Sequence, residues 1–182
     1  MKRKAGLLAI AALAIGSLAS SATNPIVGGQ EMFATRDIID NAVNSADHTM
    51  LVAAVKAAGL VDTLKGPGPF TVFAPTNAAF GKLPTGTVDS LLKPENKPAL
   101  AKVLTYHVVP GKLSSSALKK QIADGGGQAK LRTAEGQALT AHMQGDDIVI
   151  VDEKGDVSRI TIANVFQSNG VIHVVDTVVL PN

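Results

Sequence analysis

Histidine and cysteine content limits the chemistry that this sequence of 182 residues can perform. Its four histidines, His48, His107, His142 and His173, lie about 30–60 residues apart, so no two of them have the i, i+4 spacing of a helical zinc site. There is no cysteine, which excludes disulfide scaffolds, cysteine-ligated zinc and thiol nucleophiles. The sequence also contains no G-x-S-x-G nucleophile elbow and no phosphate-binding P-loop.

Two further arrangements could carry chemistry. A Ser/His/Asp triad would have to be assembled in space from Ser114, His107 and Asp176, and a hydrolase is therefore the third functional hypothesis. The acidic turn from Asp152 to Asp156 is similar to a calcium loop, but it has fewer oxygen ligands than calcium needs and a lysine at its centre. A solvated hairpin turn explains it better, and we expect no enzyme activity, no metal and no cofactor.

The first residues have the three-part pattern of a secretory signal peptide. Lys2, Arg3 and Lys4 precede an apolar stretch from Ala5 to Ile15, and small residues follow. The apolar stretch is shorter than the roughly 20 residues that a membrane span requires. We therefore expect residues 1–22 to direct export and to be removed by cleavage after Ala22 or Ala19.

Removal of the predicted signal peptide would change the net charge of the protein. The whole chain has a formal net charge of +2, whereas residues 23–182 contain 14 basic and 15 acidic residues. This balance, with only six aromatic residues for base stacking, argues against a nucleic-acid partner. No later apolar run is long enough to span a membrane, so we expect a periplasmic or secreted protein.

The elements that must position these residues follow from hydrophobic periodicity. Residues 23–36 are predicted to be a flexible lead-in, and residues 37–182 form one domain. Helical spacing predicts helices in the first half of this domain, with Gly59 as a helix stop. Their predicted ranges are 38–43, 51–60, 88–92, 98–104 and 114–123.

A β-rich pattern replaces the helical one in the second half of the chain. The predicted strands after an early one at 70–74 include Leu131 and the ranges 138–141, 148–151, 160–163, 171–175 and 177–180. Asn169-Gly170 predicts a hairpin turn whose two central residues have positive φ. The fold class is therefore α+β, with an antiparallel sheet dominating the second half.

Three sequence blocks resemble the motifs of the fasciclin-type domain family. They read GPFTVFAPTNAAF at 68–80, LTYHVVPGKL at 104–113 and NGVIHVVDTVVLP at 169–181, in the family's order and at its separations. The match covers roughly residues 34–182. The resemblance implies a wedge-shaped β-sandwich with a helical layer, and a role as an extracellular adhesion or matrix-interaction module.

The resemblance also implies a partner-binding segment. In some animal members the segment that matches Tyr106, His107, Val108 and Val109 binds integrin-type receptors. In an extended segment, Tyr106 and Val108 would share one face and His107 and Val109 the other, so at least one of the two polar side chains would point inward. The pair can therefore be a partner contact or part of the core, and both interpretations stay open.

The other motif residues have structural explanations. Thr76 and Asn77 suit a helix cap for the segment that ends at Phe80. Asn169 and Gly170 form the predicted turn, and His173 is expected to be a half-buried sheet residue bonded to a backbone carbonyl or a hydroxyl. None of these residues is expected to bind a metal.

One position departs from the family pattern. Certain members carry an Asp-Ile pair linked to receptor binding just before the Asn-Gly turn, where this chain has Asn164 and Val165. A neutral amide is a poor substitute for a carboxylate that reaches a receptor-bound cation. The animal receptor mode is therefore not expected here, and the signal peptide resembles bacterial ones.

Two hypotheses of function remain besides the hydrolase. The first is an exported, non-enzymatic adhesion or cell-surface interaction module, whose partner would be a surface or matrix protein, a polysaccharide or a second copy of the chain. The alternative is a periplasmic carrier that binds a small apolar ligand or lipid between helices and sheet.

Overall fold

The computed structural model describes residues 24–182, and the predicted signal peptide at 1–22 lies outside this range. Within these residues, helices gather in the first two thirds of the chain, as their periodicity predicts. The α-helices are α1 (Ile38–Ala42), α2 (Thr49–Ala58), α3 (Val61–Lys65), α4 (Asn77–Gly81), α5 (Thr87–Leu91), α6 (Lys97–Tyr106) and α7 (Ser115–Asp124), with 3₁₀ turns at Ala46–His48 and Pro94–Asn96.

The strands form one small and one large sheet. A short hairpin pairs β1 (Ile26–Val27) with β2 (Gln30–Glu31). The large sheet contains β3 (Phe70–Pro75), β4 (Val108–Pro110), β5 (Gln128–Arg132), β6 (Ala138–Gln144), β7 (Asp147–Val151), β8 (Val157–Gln167) and β9 (Gly170–Val175). The predicted α+β class is confirmed.

The seven strands of the large sheet lie in the order β4-β3-β9-β8-β7-β6-β5. All neighbouring pairs are antiparallel except β3 and β9, which run parallel. The Ala134 N–H, two residues after β5, donates to the carbonyl of Val108 in β4 at 2.7 Å, which brings the two edges of the sheet together. The sheet is therefore mostly antiparallel and nearly closed.

The two faces of the sheet bury two separate cores, because side chains alternate along each strand. On one face, Val72 and Ile172 pack with Leu51, Val55 and Leu104 from the helices α2 and α6. The other face lies inside the curved sheet. There the core contains Phe73, Tyr106, Leu118, Leu139, Ile150 and Val175, so α7 closes the curved side.

The segment predicted as a flexible lead-in contains the β1–β2 hairpin and contacts the domain. Val27 and Met32 are 4% and 2% exposed and belong to the helical core. The Ala46 N–H donates to the Gly28 carbonyl at 3.3 Å, and a Cβ on Gly28 would lie 2.4 Å from Ser45 Oγ. The hairpin therefore packs closely on the loop that precedes α2.

The hairpin turn between β8 and β9 is displaced by one residue from its predicted position. Gln167 pairs with Gly170, so Ser168 and Asn169 occupy the turn, and neither has positive φ. Gly170 is already a strand residue, where a Cβ would lie 2.1 Å from the Phe70 carbonyl oxygen. Glycine is required there by the close approach of β3, and the prediction of two positive φ angles is wrong.

The strand predicted at 177–180 does not form, because side chains rather than a neighbouring strand satisfy its backbone. The Val179 N–H donates to His107 Nε2 at 3.3 Å, and the Leu180 N–H donates to Asp152 Oδ2 at 3.0 Å. β9 ends at Val175, and the last residues form an irregular segment.

Candidate functional site

The segment from Tyr106 to Val109 joins a helix to an edge strand. Tyr106 is the last residue of α6, His107 is its C-cap with αR backbone angles, and β4 begins at Val108. The prediction of an extended segment is therefore wrong at its first two residues, because the apolar spacing of Leu100 and Leu104 continues the helix to Tyr106.

All four side chains of this segment are buried. The exposed fractions are 0% for Tyr106, 2% for His107, 6% for Val108 and 5% for Val109. Tyr106 lies in the core inside the curved sheet, and Val108 lies in the helical core. The segment therefore connects the two cores, and both polar residues of the pair point inward.

The ring of Tyr106 is buried, and its hydroxyl makes one hydrogen bond inside the protein. Its hydroxyl donates to the Ala138 carbonyl of β6 at 3.1 Å. Burial raises the pKa of Tyr106 to about 12, so the hydroxyl stays protonated and acts as a donor. The only tyrosine of the chain thereby fixes the end of α6 to the far side of the sheet.

His107 uses both ring nitrogens inside the protein. Nδ1 lies 2.8 Å from the Val103 carbonyl, and Nε2 accepts from the Val179 N–H at 3.3 Å. These partners require a neutral ring with its proton on Nδ1. Burial lowers the pKa of His107 to about 4, opposed in part by the Val103 carbonyl and the Asp152 carboxylate.

The first motif forms two helix caps. Thr76 Oγ1 accepts from the Ala79 N–H at 3.2 Å and is the N-cap of α4. Asn77 lies inside α4 and instead caps α2, since its Oδ1 accepts from the Met50 N–H at 3.0 Å and its Nδ2 donates to the Ala46 carbonyl at 2.9 Å. Phe80 is buried in the helical core.

Asn169 joins three parts of the fold from its place in the β8–β9 turn. Its Oδ1 accepts from the Ile38 N–H at 3.1 Å, and its Nδ2 donates to the carbonyls of Leu64 and Gly66 at 2.7 and 2.9 Å. The start of α1 and the end of α3 are thereby attached to the sheet. With Gly170 fitting against Phe70, the Asn-Gly pair serves packing between elements.

His173 is fully buried in β9, rather than half-buried as expected. Its Nε2 lies 2.7 Å from the Leu113 carbonyl, its Nδ1 accepts from the Asn164 N–H at 3.3 Å, and its ring stacks on Phe73 with centroids 5.8 Å apart. Burial lowers the pKa of His173. The predicted bond to a backbone carbonyl is present.

Asn164, which departs from the family pattern, has a structural role. It has a positive φ of 60°, which asparagine tolerates better than most residues, at a bulge in β8. Its Oδ1 accepts from the Ser115 N–H and its Nδ2 donates to Ser115 Oγ, both at 2.7 Å. The amide therefore closes the first turn of α7, a contact that sequence spacing does not reveal.

The catalytic and metal arrangements considered from the sequence are not assembled. Both nitrogens of His107 are occupied, and Ser114 Oγ accepts from the Ala117 N–H at 3.2 Å as the N-cap of α7. Asp152 accepts from three backbone N–H groups, those of Lys154, Asp156 and Leu180. Across residues 24–182, no group of three metal-ligating side chains is found.

An apolar cavity of about 40 Å³ lies between the helices and the sheet, which is the place that the carrier hypothesis requires. Aliphatic side chains from α1, α2, β3 and β9 form its wall, together with His48 and His107. His48 is 4% exposed, and burial lowers its pKa. Its Nδ1 lies 2.8 Å from Ser45 Oγ, and a backbone hydrogen bond to Ala74 opposes part of the lowering of its pKa.

Comparisons with known proteins agree with the sequence blocks. A model of the Fasciclin domain matches residues 46–181. Protein sll1483 of Synechocystis sp. is 42% identical over 176 residues, which cover 96% of this chain and 89% of that protein. Cell surface glycolipoprotein MPB83 of Mycobacterium bovis is 40% identical over 122 residues, 67% of this chain and 48% of that protein.

An animal relative and a solved structure extend the comparison. Transforming growth factor-beta-induced protein ig-h3 of Sus scrofa is 35% identical over 133 residues, covering 73% of this chain and 17% of that protein. A solved FAS1 domain pair from the insect cell adhesion molecule Fasciclin I superposes with a TM-score of 0.69 at 18% identity, covering 80% of this chain and 51% of that one. The chain belongs to the fasciclin-domain family.

Proposed function

We propose that this protein is an exported, non-enzymatic cell-adhesion or cell-surface interaction module. The family match over residues 46–181 carries the proposal, because relatives named in the comparisons are a cell-surface glycolipoprotein and a cell adhesion molecule. The occupied ring nitrogens of His107 support a non-enzymatic role, since this residue is the histidine of the triad considered above. The partner is a surface or matrix protein, a polysaccharide or a second copy of the chain.

In this proposal the segment from Tyr106 to Val109 supports the binding surface without touching the partner. The burial of all four side chains favours this role, and so do the hydrogen bonds of Tyr106 and His107 inside the domain. The partner then contacts exposed side chains elsewhere on the domain.

Export is the second part of the proposal. The charged and apolar pattern of residues 1–22 supports it. Within residues 24–182, no helix is long and apolar enough to cross a membrane. N-terminal sequencing of protein recovered from the cell envelope or the medium should give a chain that begins at Thr23 or Ser20. An intact N-terminus on all of the recovered protein contradicts processing.

A pull-down tests the interaction role. Protein purified from its own source is immobilised and exposed to solubilised envelope material and to surface polysaccharide from the same cells. We expect saturable retention of at least one component, and sedimentation over a range of concentrations checks self-association. A protein that retains nothing and stays monomeric contradicts the proposal.

A second candidate function is carriage of a small apolar ligand. The cavity between the helices and the sheet supports it, because this is the position that such a carrier requires. The enclosed volume of about 40 Å³ is well below the roughly 150 Å³ that holds a benzene molecule. The cavity therefore has room for about one or two heavy atoms, and a lipid chain does not fit.

A further inference from the structure

We propose that an open polar cleft between α7 and the strands β7 and β8 binds one neutral sugar unit of a polysaccharide. The cleft has a volume of about 170 Å³. A cavity of about 150 Å³ holds a benzene molecule, so the cleft has room for one six-membered ring. The proposal rests on the proposed interaction function and names the chemistry of its partner.

The floor of the cleft is apolar. Ile148 of β7 and Ile160 of β8 are buried and belong to the core inside the curved sheet, and Ala163 packs against the same core. A pyranose ring carries C–H groups on its two faces and hydroxyl groups along its edge. One face of such a ring can therefore cover these side chains while its hydroxyl groups point to polar walls.

Charged side chains of both signs form the walls. Lys119 comes from α7, whereas Asp146 and Asp147 come from the β6–β7 turn and the start of β7. Asp147 pairs with Arg159 at 3.5 Å. Neither Lys119 nor Asp146 has an ion-pair partner within residues 24–182. The lysine can therefore donate hydrogen bonds to a ligand, and the carboxylate can accept them.

The mixed charge of the walls favours a neutral ligand over an ion. An anion attracted by Lys119 is repelled by the two carboxylates, and a cation meets the opposite balance. A hydroxyl group both donates and accepts, so a ring with several hydroxyl groups interacts favourably with both kinds of wall. A small zwitterion matches the two charges as well, but it has no ring to cover the apolar floor.

Irregular pairing of β8 shapes the cleft. The register of β8 with β9 shifts twice, on either side of Ile162, and such bulges often lie beside binding sites. Thr161 and Ala163, the residues beside Ile162, both line the cleft. Asn164 Oδ1 accepts from the N–H of Ser115, another lining residue, at 2.7 Å. The start of α7 is thereby fixed to β8 without a ligand, which reduces the entropy lost on binding.

NMR titration of the isotope-labelled full-length protein tests the sugar site. The neutral probes are the methyl glycosides of glucose, galactose, mannose and N-acetylglucosamine, and the zwitterionic probe is L-alanine. Methyl groups of Ile148 and Ile160 report occupancy because both residues line the cleft. We expect at least one glycoside to cause saturable shifts of these methyl groups, and alanine to cause none.

Two neighbouring lysines of α7 provide a variant and its matched control. Lys119→Met keeps the apolar stem and should weaken glycoside binding about fivefold, the effect of one lost hydrogen bond. Lys120→Met should leave the affinity unchanged, because Lys120 pairs with Asp124 and lies outside the cleft wall. Both lysines are exposed, so we expect both variants to fold.

The possible results separate this proposal from the interaction function. If no glycoside shifts the two isoleucines, the sugar site is wrong, while the pull-down with envelope material still decides the interaction function. Shifts caused by alanine alone assign the cleft to a zwitterion and overturn the sugar assignment. Equal glycoside affinities of the Lys119→Met and Lys120→Met variants contradict the role of the cleft wall.

Discussion

Buried histidines give this domain a predictable response to acid. His48, His107 and His173 all have pKa values lowered by burial, and the ordinary value is about 6.5. Each ring is neutral in the folded protein and takes up a proton more readily once the chain unfolds. The contribution of these neutral rings to the free energy of unfolding is fully present above about pH 6.5. It is lost as the pH falls toward the pKa values that the rings have in the folded protein.

We expect the free energy of unfolding to fall between pH 6.5 and 5. His107, with a folded pKa of about 4, accounts for about 2 kcal/mol of this loss, and the other two rings add to it. Urea unfolding at a series of pH values measures this change in the free energy of unfolding. The interval from pH 6.5 to 5 lies above the range in which most carboxylates titrate, so their contribution is small there. His107→Gln should flatten the slope. A constant free energy across this window contradicts the neutral, buried state of these rings.

Tyr106 separates the structural interpretation of the Tyr-His pair from the contact interpretation. Tyr106→Phe keeps the ring in the core and removes only the hydrogen bond to the Ala138 carbonyl. We expect a loss of about 0.5–1.5 kcal/mol in unfolding free energy, with unchanged partner retention by the folded protein. Reduced retention at full stability shows instead that the hydroxyl contacts the partner.

At the level of elements, three asparagines join helix ends to distant parts of the chain. Asn77 caps α2, Asn164 closes the first turn of α7, and Asn169 binds the start of α1 and the end of α3. The helices α1, α3 and α4 have five residues each, too short to be stable without tertiary contacts. The asparagines therefore position the helical layer on the sheet.

The substitution Asn77→Ala should lower the free energy of unfolding by more than the loss of a single helix cap does. It removes the acceptor for the Met50 N–H and the donor to the Ala46 carbonyl, so we expect a loss of about 2 kcal/mol. The matched control, Thr76→Ala, removes only the cap of α4 and should cost about 1 kcal/mol. Thermal unfolding of both variants measures the difference. Equal losses contradict the role of Asn77 across elements.

The parallel pairing of β3 with β9 depends on Gly170. A methyl group in Gly170→Ala would meet the Phe70 carbonyl oxygen, so we expect a loss of about 3 kcal/mol or more. Gly81→Ala is the control, because its Cβ has open space at the end of α4 and the change should be neutral or stabilising by up to about 1 kcal/mol. A Gly170→Ala variant as stable as the control contradicts the packing described above.

Much of the element order could be predicted from the sequence, because periodicity and caps are local. The Gly59 stop lies where the pattern places it, and α7 at Ser115–Asp124 lies within one residue of the predicted range 114–123. Contacts across the chain could not be predicted in the same way. Asn169 reaches Ile38 over 131 positions, and the hydrogen bond of Val179 to His107, which replaces the last predicted strand, spans 72.

The candidate site shows the same limit. The three blocks identified the residues of the Tyr-His segment, but their burial depends on how α6 and β4 pack against the curved sheet. The hydrogen bond of His48 to Ser45 and its place in the cavity wall also appear only when the loop before α2 folds against the helices. Sequence spacing alone excluded a helical zinc site and left the role of this histidine open.

At the scale of the whole molecule, aliphatic packing on both faces of one curved sheet stabilises a domain that has no disulfide. The two cores meet at the end of α6, where Tyr106 enters one and Val108 the other. The motif that the family resemblance links to binding is thus a junction between cores. A change there should alter stability first, and the outer surface remains available for contact.

Attachment of cells that lack this gene tests the central claim most directly. We predict that attachment to surfaces or to other cells falls in the deletion strain and returns when the unmodified gene is restored. The Tyr106→Phe gene should restore it equally well, provided that the protein reaches the same amount outside the cell. Unchanged attachment in the deletion strain, at normal growth and envelope integrity, contradicts the account.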